Sequence, residues 1–178
     1  MLKYCAAFVL TLFWILAPLL SPTAQAAIGG PEEKNLRGRL GIGFTNQITT
    51  TAAGNSIPAL SAKYYIGRSF ATSLQIGFDT RSGPTTGGST MVLGGKLFRN
   101  MFTESNLIFY IGAGLAYINH SGTNLQGSLF FGSEFFLTQI PSLGLSVEAG
   151  VRGDSTSGSF AIRTTGDSFL SGGMHFYF

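Results

Sequence analysis

His120, Ser121 and Glu134 are the residues whose types could do covalent chemistry. A serine nucleophile, a histidine base and a carboxylate to orient it make a hydrolase triad. A second set is ionic: Arg37, Arg39, Lys63, Lys96, Glu134 and Glu148 punctuate stretches otherwise built of Gly, Ser and Ala. Facing an enclosed space, such charges must pair, because a lone buried charge is costly. Arg152-Gly153-Asp154 spells an integrin-type tripeptide, although Gly-Asp also simply opens a turn. The only histidines are His120, in a polar stretch, and His175, so no metal site is expected. Gly87-Gly88 and Gly94-Gly95 lack the Lys-Ser/Thr and the helix of a phosphate loop, and no cofactor is expected.

The elements that must carry these residues alternate with period two, which argues strand and not helix. Eight segments show it: residues 36–45, 59–66, 70–79, 90–98, 107–117, 125–136, 143–152 and 168–178. In the first, Leu36, Gly38, Leu40, Ile42 and Phe44 share one face, and Arg37, Arg39, Gly41 and Gly43 the other. In the third, Thr72, Leu74, Ile76 and Phe78 point one way. The fifth sets Leu107, Phe109, Ile111, Ala113, Leu115 and Tyr117 against Tyr110, Gly112 and Gly114. Lys63, Lys96, Glu134, Glu148 and His175 all fall on the face opposite the apolar one. Polar stretches at 46–56, 80–89, 119–124 and 153–167 alternate with tighter links, among them Gly67-Arg68-Ser69. The segment that ends in Phe176-Tyr177-Phe178 is about as long as a tilted strand that crosses a bilayer, ~9–11 residues.

Composition agrees. Charged residues make up 11% of the 178, well under the usual quarter, while Gly (25) and Phe (16) are abundant. Beyond the N-terminus no apolar run approaches the ~20 residues of a membrane helix. At the N-terminus, Lys3, an apolar core and Ala24-Gln25-Ala26 read as a secretory signal peptide over 1–26, followed by a periplasmic lead-in over 27–35. Cys5 lies inside that signal, so no disulfide is expected in the mature chain. The net charge of +3 falls to +2 without Lys3, too little to suggest nucleic-acid binding.

The expected fold is therefore all-β: an eight-stranded antiparallel up-and-down transmembrane β-barrel over 36–178. Its lumen would hold a charge network in which Glu134 and Glu148 meet Arg39, Lys63 or Lys96. That network reads either as a structural plug or as a polar conduit or pocket favouring anions. The inward glycines would leave room for the second.

Ser171, Gly173, Phe176 and Phe178 occupy the places of the C-terminal assembly signal of bacterial outer-membrane barrels, and the segment resembles that signal. The resemblance implies an outer-membrane address and recognition by the barrel assembly machinery. As a pattern, the mature chain resembles the OmpA-type transmembrane domain and the OmpW- and OmpX-like small barrels. That likeness implies a monomer in contact with outer-membrane lipid and lipopolysaccharide; no peptidoglycan-binding domain is expected to follow, which departs from the full-length OmpA plan. The chain is also similar in size to the outer-membrane lipid A deacylases. Their motif places the serine two residues after the histidine, followed by Asn. In His120-Ser121-Gly122-Thr123-Asn124, Gly122 holds the nucleophile's place, and parity points Glu134 into the lumen. The expectation is a non-enzymatic structural or surface-interaction barrel, with a narrow channel as the alternative.

Overall fold

A computed structural model describes residues 33–46, 59–81, 88–119, 123–156, 159–164 and 171–178. The expected signal peptide, most of the lead-in, and His120 and Ser121 lie outside the described residues.

Nine strand segments follow one another: β1 (Leu40–Thr45), β2 (Ala59–Tyr65), β3 (Phe70–Arg81), β4 (Gly88–Thr103), β5 (Leu107–Asn119), β6 (Thr123–Leu137), β7 (Ile140–Thr156), β8 (Ser159–Thr164) and β9 (Ser171–Tyr177). Each of β1 to β6 pairs antiparallel with its successor, β6 pairs with β7, and β9 pairs with both β7 and β1. The sheet therefore closes on itself. β8 and β9 together form the eighth stave, since both pair with β7, β8 at Val151–Thr156 and β9 at Leu143–Glu148. The described chain is an all-β, eight-stranded antiparallel barrel in up-and-down order. Over the height where β9 joins β7 to β1 the sheet is continuous around the barrel, so backbone groups there find partners in the wall itself, while among the described residues β8 pairs with β7 alone.

Burial follows the expected parity. Along β2, Ala59, Ser61, Lys63 and Tyr65 are buried while Leu60 and Tyr64 are exposed. The outer face is apolar almost throughout: Leu74 is 60% exposed and Leu115 66%. Inside, nine residues including Leu36, Tyr65, Phe98, Tyr110, Phe136 and Tyr177 form one core cluster near the end where the chain turns tightly.

Four boundaries differ from expectation. β1 begins at Leu40, not at residue 36, because Gly38 takes a left-handed φ of 77° and ends the extended run. The Arg39 amide donates to the Leu36 carbonyl at 2.9 Å across this turn. Leu36 thereby moves from the expected outer face into the core. β4 continues to Thr103 through a bulge between Asn100 and Phe102, so the next link shrinks to a tight turn closed by Glu104 N–H to Leu107 O at 2.8 Å. The link from β6 to β7 likewise shrinks, to residues 138 and 139. Finally, part of the expected loop 153–167 is a hairpin, with Arg152 to Thr156 paired against Ser159 to Arg163.

Candidate functional site: the lumen

One lateral row of inward side chains carries the cations of the lumen. Register places Lys63 opposite Ser73, Ser73 opposite Lys96, Lys96 opposite Gly114, Gly114 opposite Ser128, and Ser128 opposite Arg152. Arg152 stands opposite Arg163, which ends the row. Four cations thus line one cross-strand row, with only Ser and Gly between the first three. Row neighbours are close, about 4.5–5.5 Å between Cβ atoms, so a carboxylate must come from elsewhere.

Lys63 Nζ meets Glu134 Oε2 at 2.8 Å. That carboxylate also accepts the Tyr65 hydroxyl on Oε2 at 2.7 Å and the Tyr177 hydroxyl on Oε1 at 2.6 Å. Lys96 Nζ meets Glu148 Oε2 at 2.6 Å, and the Tyr110 hydroxyl donates to Glu148 Oε1 at 3.0 Å. Higher in the barrel, Arg152 Nε lies 3.4 Å from Asp154 Oδ2, while Gln126 Nε2 donates to Asp154 Oδ1 at 2.6 Å. Burying an ion pair is favourable only when hydrogen bonds satisfy what remains of each charge. The tyrosines do this for both glutamates. The aromatic faces do it for the lysines: Lys63 Nζ sits 4.5 Å from the Phe98 ring centre and 4.7 Å from that of Tyr110, and Lys96 Nζ 4.4 Å from that of Phe130.

Of the residues expected in this network, the structure brings together Lys63, Lys96, Glu134 and Glu148. It does not bring in Arg37 and Arg39, and this corrects the sequence reading. Both lie exposed in and beside the Gly38 turn, outside the lumen, because that turn interrupts the alternation on which their placement rested. The pairing runs across the lumen as expected, from β2 to β6 and from β4 to β7. Tyr65, Tyr177, Phe98, Phe130 and the Arg152–Asp154–Gln126 group were not anticipated as members. Their signal was the same parity: Tyr177 lies two residues from the inward His175, and each of the others lies an even number of residues from a charge already placed inward.

The inward glycines do not leave room, contrary to expectation. A methyl group on Gly41 would come within 2.5 Å of the Tyr177 ring, and one on Gly112 within 2.5 Å of the Phe130 ring. On Gly132 it would meet Glu148 Cγ at 2.8 Å. Each of these glycines stands directly beside a large lumen side chain on the neighbouring strand: Gly41 beside Tyr177, Gly112 beside Phe130 and Gly132 beside Glu148. Among the described residues, a cavity of about 20 Å³ lies beside Gln75, Lys96, Gln126 and Ser128. That volume holds about one water molecule.

At the tightly turned end the lumen is stoppered. Leu36 is buried, the Lys34 amide donates to Glu104 O at 3.2 Å, and Lys34 Nζ donates to Pro141 O at 2.6 Å. Lys34 also lies over the Phe136 ring at 4.4 Å. Its own ammonium is held below the ordinary lysine range, by burial first and then by the Arg39 charge. The segment before β1 therefore crosses the barrel base towards the β4–β5 and β6–β7 turns.

The other singled-out residues fall as follows. Arg152-Gly153-Asp154 lies within β7 with both charged side chains buried, so no adhesion tripeptide is displayed. The reason is that residues 153–156 pair with β8 and do not form the loop their composition suggested. Glu134 is held by Lys63 and two tyrosines inside the barrel, away from the outer face. His175 is also inward, with Nε2 2.9 Å from Ser61 Oγ. Among the described residues no cluster of three or more His, Cys, Asp or Glu side chains is placed to hold a metal. Of the assembly-signal residues, Ser171 is buried, Gly173 packs against Ser146 and β1, and Phe176 and Phe178 are exposed, their rings 5.3 Å apart. The Phe178 amide donates to Leu40 O at 2.9 Å, extending the closing seam. Comparison of the chain with protein-family models, curated proteins and solved structures gives no match.

Proposed function

We propose that this chain is an outer-membrane β-barrel of structural or surface-interaction type, without enzymatic activity, whose lumen is a plug and not a passage. One observation carries the reading: the distribution of side chains is inverted relative to a water-soluble protein. Lysines and glutamates are buried and paired in the centre, while leucines, isoleucines and phenylalanines cover the wall. Monomeric soluble proteins rarely expose apolar patches larger than a few hundred Å². A wall facing hydrocarbon needs them. Phe70, Phe102, Phe109, Phe135, Phe176 and Phe178 also gather towards the tight-turn end, where an aromatic girdle would meet the interface.

The assembly machinery would read Phe176 and Phe178 on the exposed face of β9, and signal-peptide export would deliver the chain to it. Outer-membrane lipid and lipopolysaccharide would contact the wall. The channel alternative is disfavoured by the Leu36, Tyr65, Phe98, Tyr110, Phe136 and Tyr177 stopper and by the water-sized cavity above it. A lipid A hydrolase is disfavoured because Glu134 is spent on the lumen network.

Two measurements on the full chain test this. Fractionation of the cell envelope should recover it with outer-membrane markers, and recovery in the soluble or inner-membrane fraction would defeat the reading. In planar bilayers the purified barrel should give no discrete conductance steps. Regular ohmic steps would replace the plug by the channel.

A further inference from the structure

The tight-turn end of the barrel carries an uneven charge. Among the described residues it holds five cations, Lys34, Arg37, Arg39, Arg68 and Arg99, against two carboxylates, Glu33 and Glu104. Lys34 is bonded to the Pro141 carbonyl, and Arg99 and Glu33 engage other groups. Arg37, Arg39 and Arg68 are exposed, and none of the three joins an ion pair among the described residues. The β6–β7 link on the far side, residues 138 and 139, carries no charge at all.

Backbone bonds hold the three arginines on one arc. The Gly38 amide donates to Tyr65 O at 2.8 Å and the Tyr65 amide to Arg39 O at 3.2 Å, which fastens the turn carrying Arg37 and Arg39 to the end of β2. Arg68 follows in the β2–β3 turn, where the Gly67 amide donates to Phe70 O at 3.2 Å. Asn100 ties that turn to β4, its backbone N–H donating to Ser69 O at 2.8 Å and its Nδ2 to Arg68 O at 2.7 Å. The apolar wall ends beside the arc: Leu40, Tyr64, Ile66 and Phe70 are exposed, and Phe178 is bonded next to Leu40. Gathered like charges repel one another unless an anion neutralises them. Basic side chains just beyond an apolar girdle lie at the level of lipid phosphates.

We propose that Arg37, Arg39 and Arg68 form a basic arc that binds the phosphates of anionic phospholipids in the leaflet at the tight-turn end. Guanidinium forks donate paired N–H bonds to a phosphate. In an anionic phospholipid no ammonium cancels the phosphate charge, so the arc selects it over a zwitterionic one. Leu40, Ile66 and Phe70 lie where the acyl chains of the same lipid would run. The arc rests on the lipid-facing wall proposed above and names which lipid that wall holds at one end.

The test uses the full chain reconstituted in phosphatidylcholine vesicles with a trace of spin-labelled phosphatidylglycerol or of spin-labelled phosphatidylcholine. Electron paramagnetic resonance separates lipid held at the protein surface from free lipid. At low salt, wild type should hold phosphatidylglycerol about threefold or more tightly than phosphatidylcholine, as expected for a few basic side chains at the surface. Molar salt should erode that preference. Arg39→Gln combined with Arg68→Gln, both at exposed side chains, should remove most of it, while Arg39→Lys combined with Arg68→Lys should keep most of it. Arg163→Gln, at the loop end, should leave it unchanged. Held lipid without preference, a preference that survives the double glutamine change, or one lost in Arg163→Gln instead, would overturn the arc and leave the wall in lipid. No held lipid of either kind would defeat the wall itself, and the arc with it.

Discussion

Lys63 and Glu134 stand 71 residues apart in the chain and 2.8 Å apart in the lumen, 2% and 0% exposed. Neither could be buried alone. Glu134 accepts from Lys63, Tyr65 and Tyr177, and so ties β2 and β9 to β6 across the barrel. Glu134→Gln should therefore destabilise the barrel by about 3–5 kcal/mol, the cost of stranding a buried partner charge. Lys63→Met combined with Glu134→Met should lose much less than the two single changes summed. Urea unfolding in lipid vesicles measures both. Additive losses would mean that the pair is not coupled.

Closure of the barrel rests on the absence of a side chain at Gly43 in β1. A methyl group on Gly43 would overlap the Met174 carbonyl and lie 2.8 Å from His175 Cα, blocking the β1–β9 seam. Gly127 faces outward, and its nearest neighbour would be Leu115 Cδ2 at 3.8 Å. Gly43→Ala should abolish the compact band that an unboiled barrel gives on an SDS gel, and Gly127→Ala should keep it. The same band in both variants would show that the seam does not need the glycine.

Much of this was legible because the lumen and the wall differ in kind and alternate residue by residue. From β2 to β7 the parity of Lys63, Lys96, Glu134 and Glu148 alone predicts which side chains point inward. Parity fails where the backbone leaves the extended state. Gly38 turns the chain and sends Arg37 and Arg39 out of the phase that placed them inside. The bulge at Asn100 hid the end of β4, since an extra residue shifts period two by one. Gly153 to Thr156 read as loop because their composition is polar, yet pairing with β8 makes them strand. Partner choice was not legible at all. Which lysine meets which glutamate depends on how the eight staves close, and no local pattern encodes that.

Charge placed on the wall should cost more at mid-height than near its rim. Leu74 lies midway along β3, and Phe78 nearer the loop end; both are exposed. With hydrocarbon around the barrel, Leu74→Arg should cost about 2–4 kcal/mol of folding free energy in vesicles and Phe78→Arg about 0–1. In water both substitutions would be close to neutral, so equal small effects would argue against a membrane-facing wall. Equilibrium unfolding of the two variants against wild type provides the comparison.

The central claim is a closed barrel with its apolar face in lipid, and spin labels along β5 test it most directly. Labels introduced singly from Ala113 to Ile118, with the chain in lipid vesicles, report collisions with oxygen and with a water-soluble nickel complex. Positions 113, 115 and 117 should be open to oxygen and closed to nickel, while 114, 116 and 118 should be closed to oxygen, because the wall faces hydrocarbon and the lumen is packed. High nickel access at the odd positions, or no alternation at all, would contradict the account.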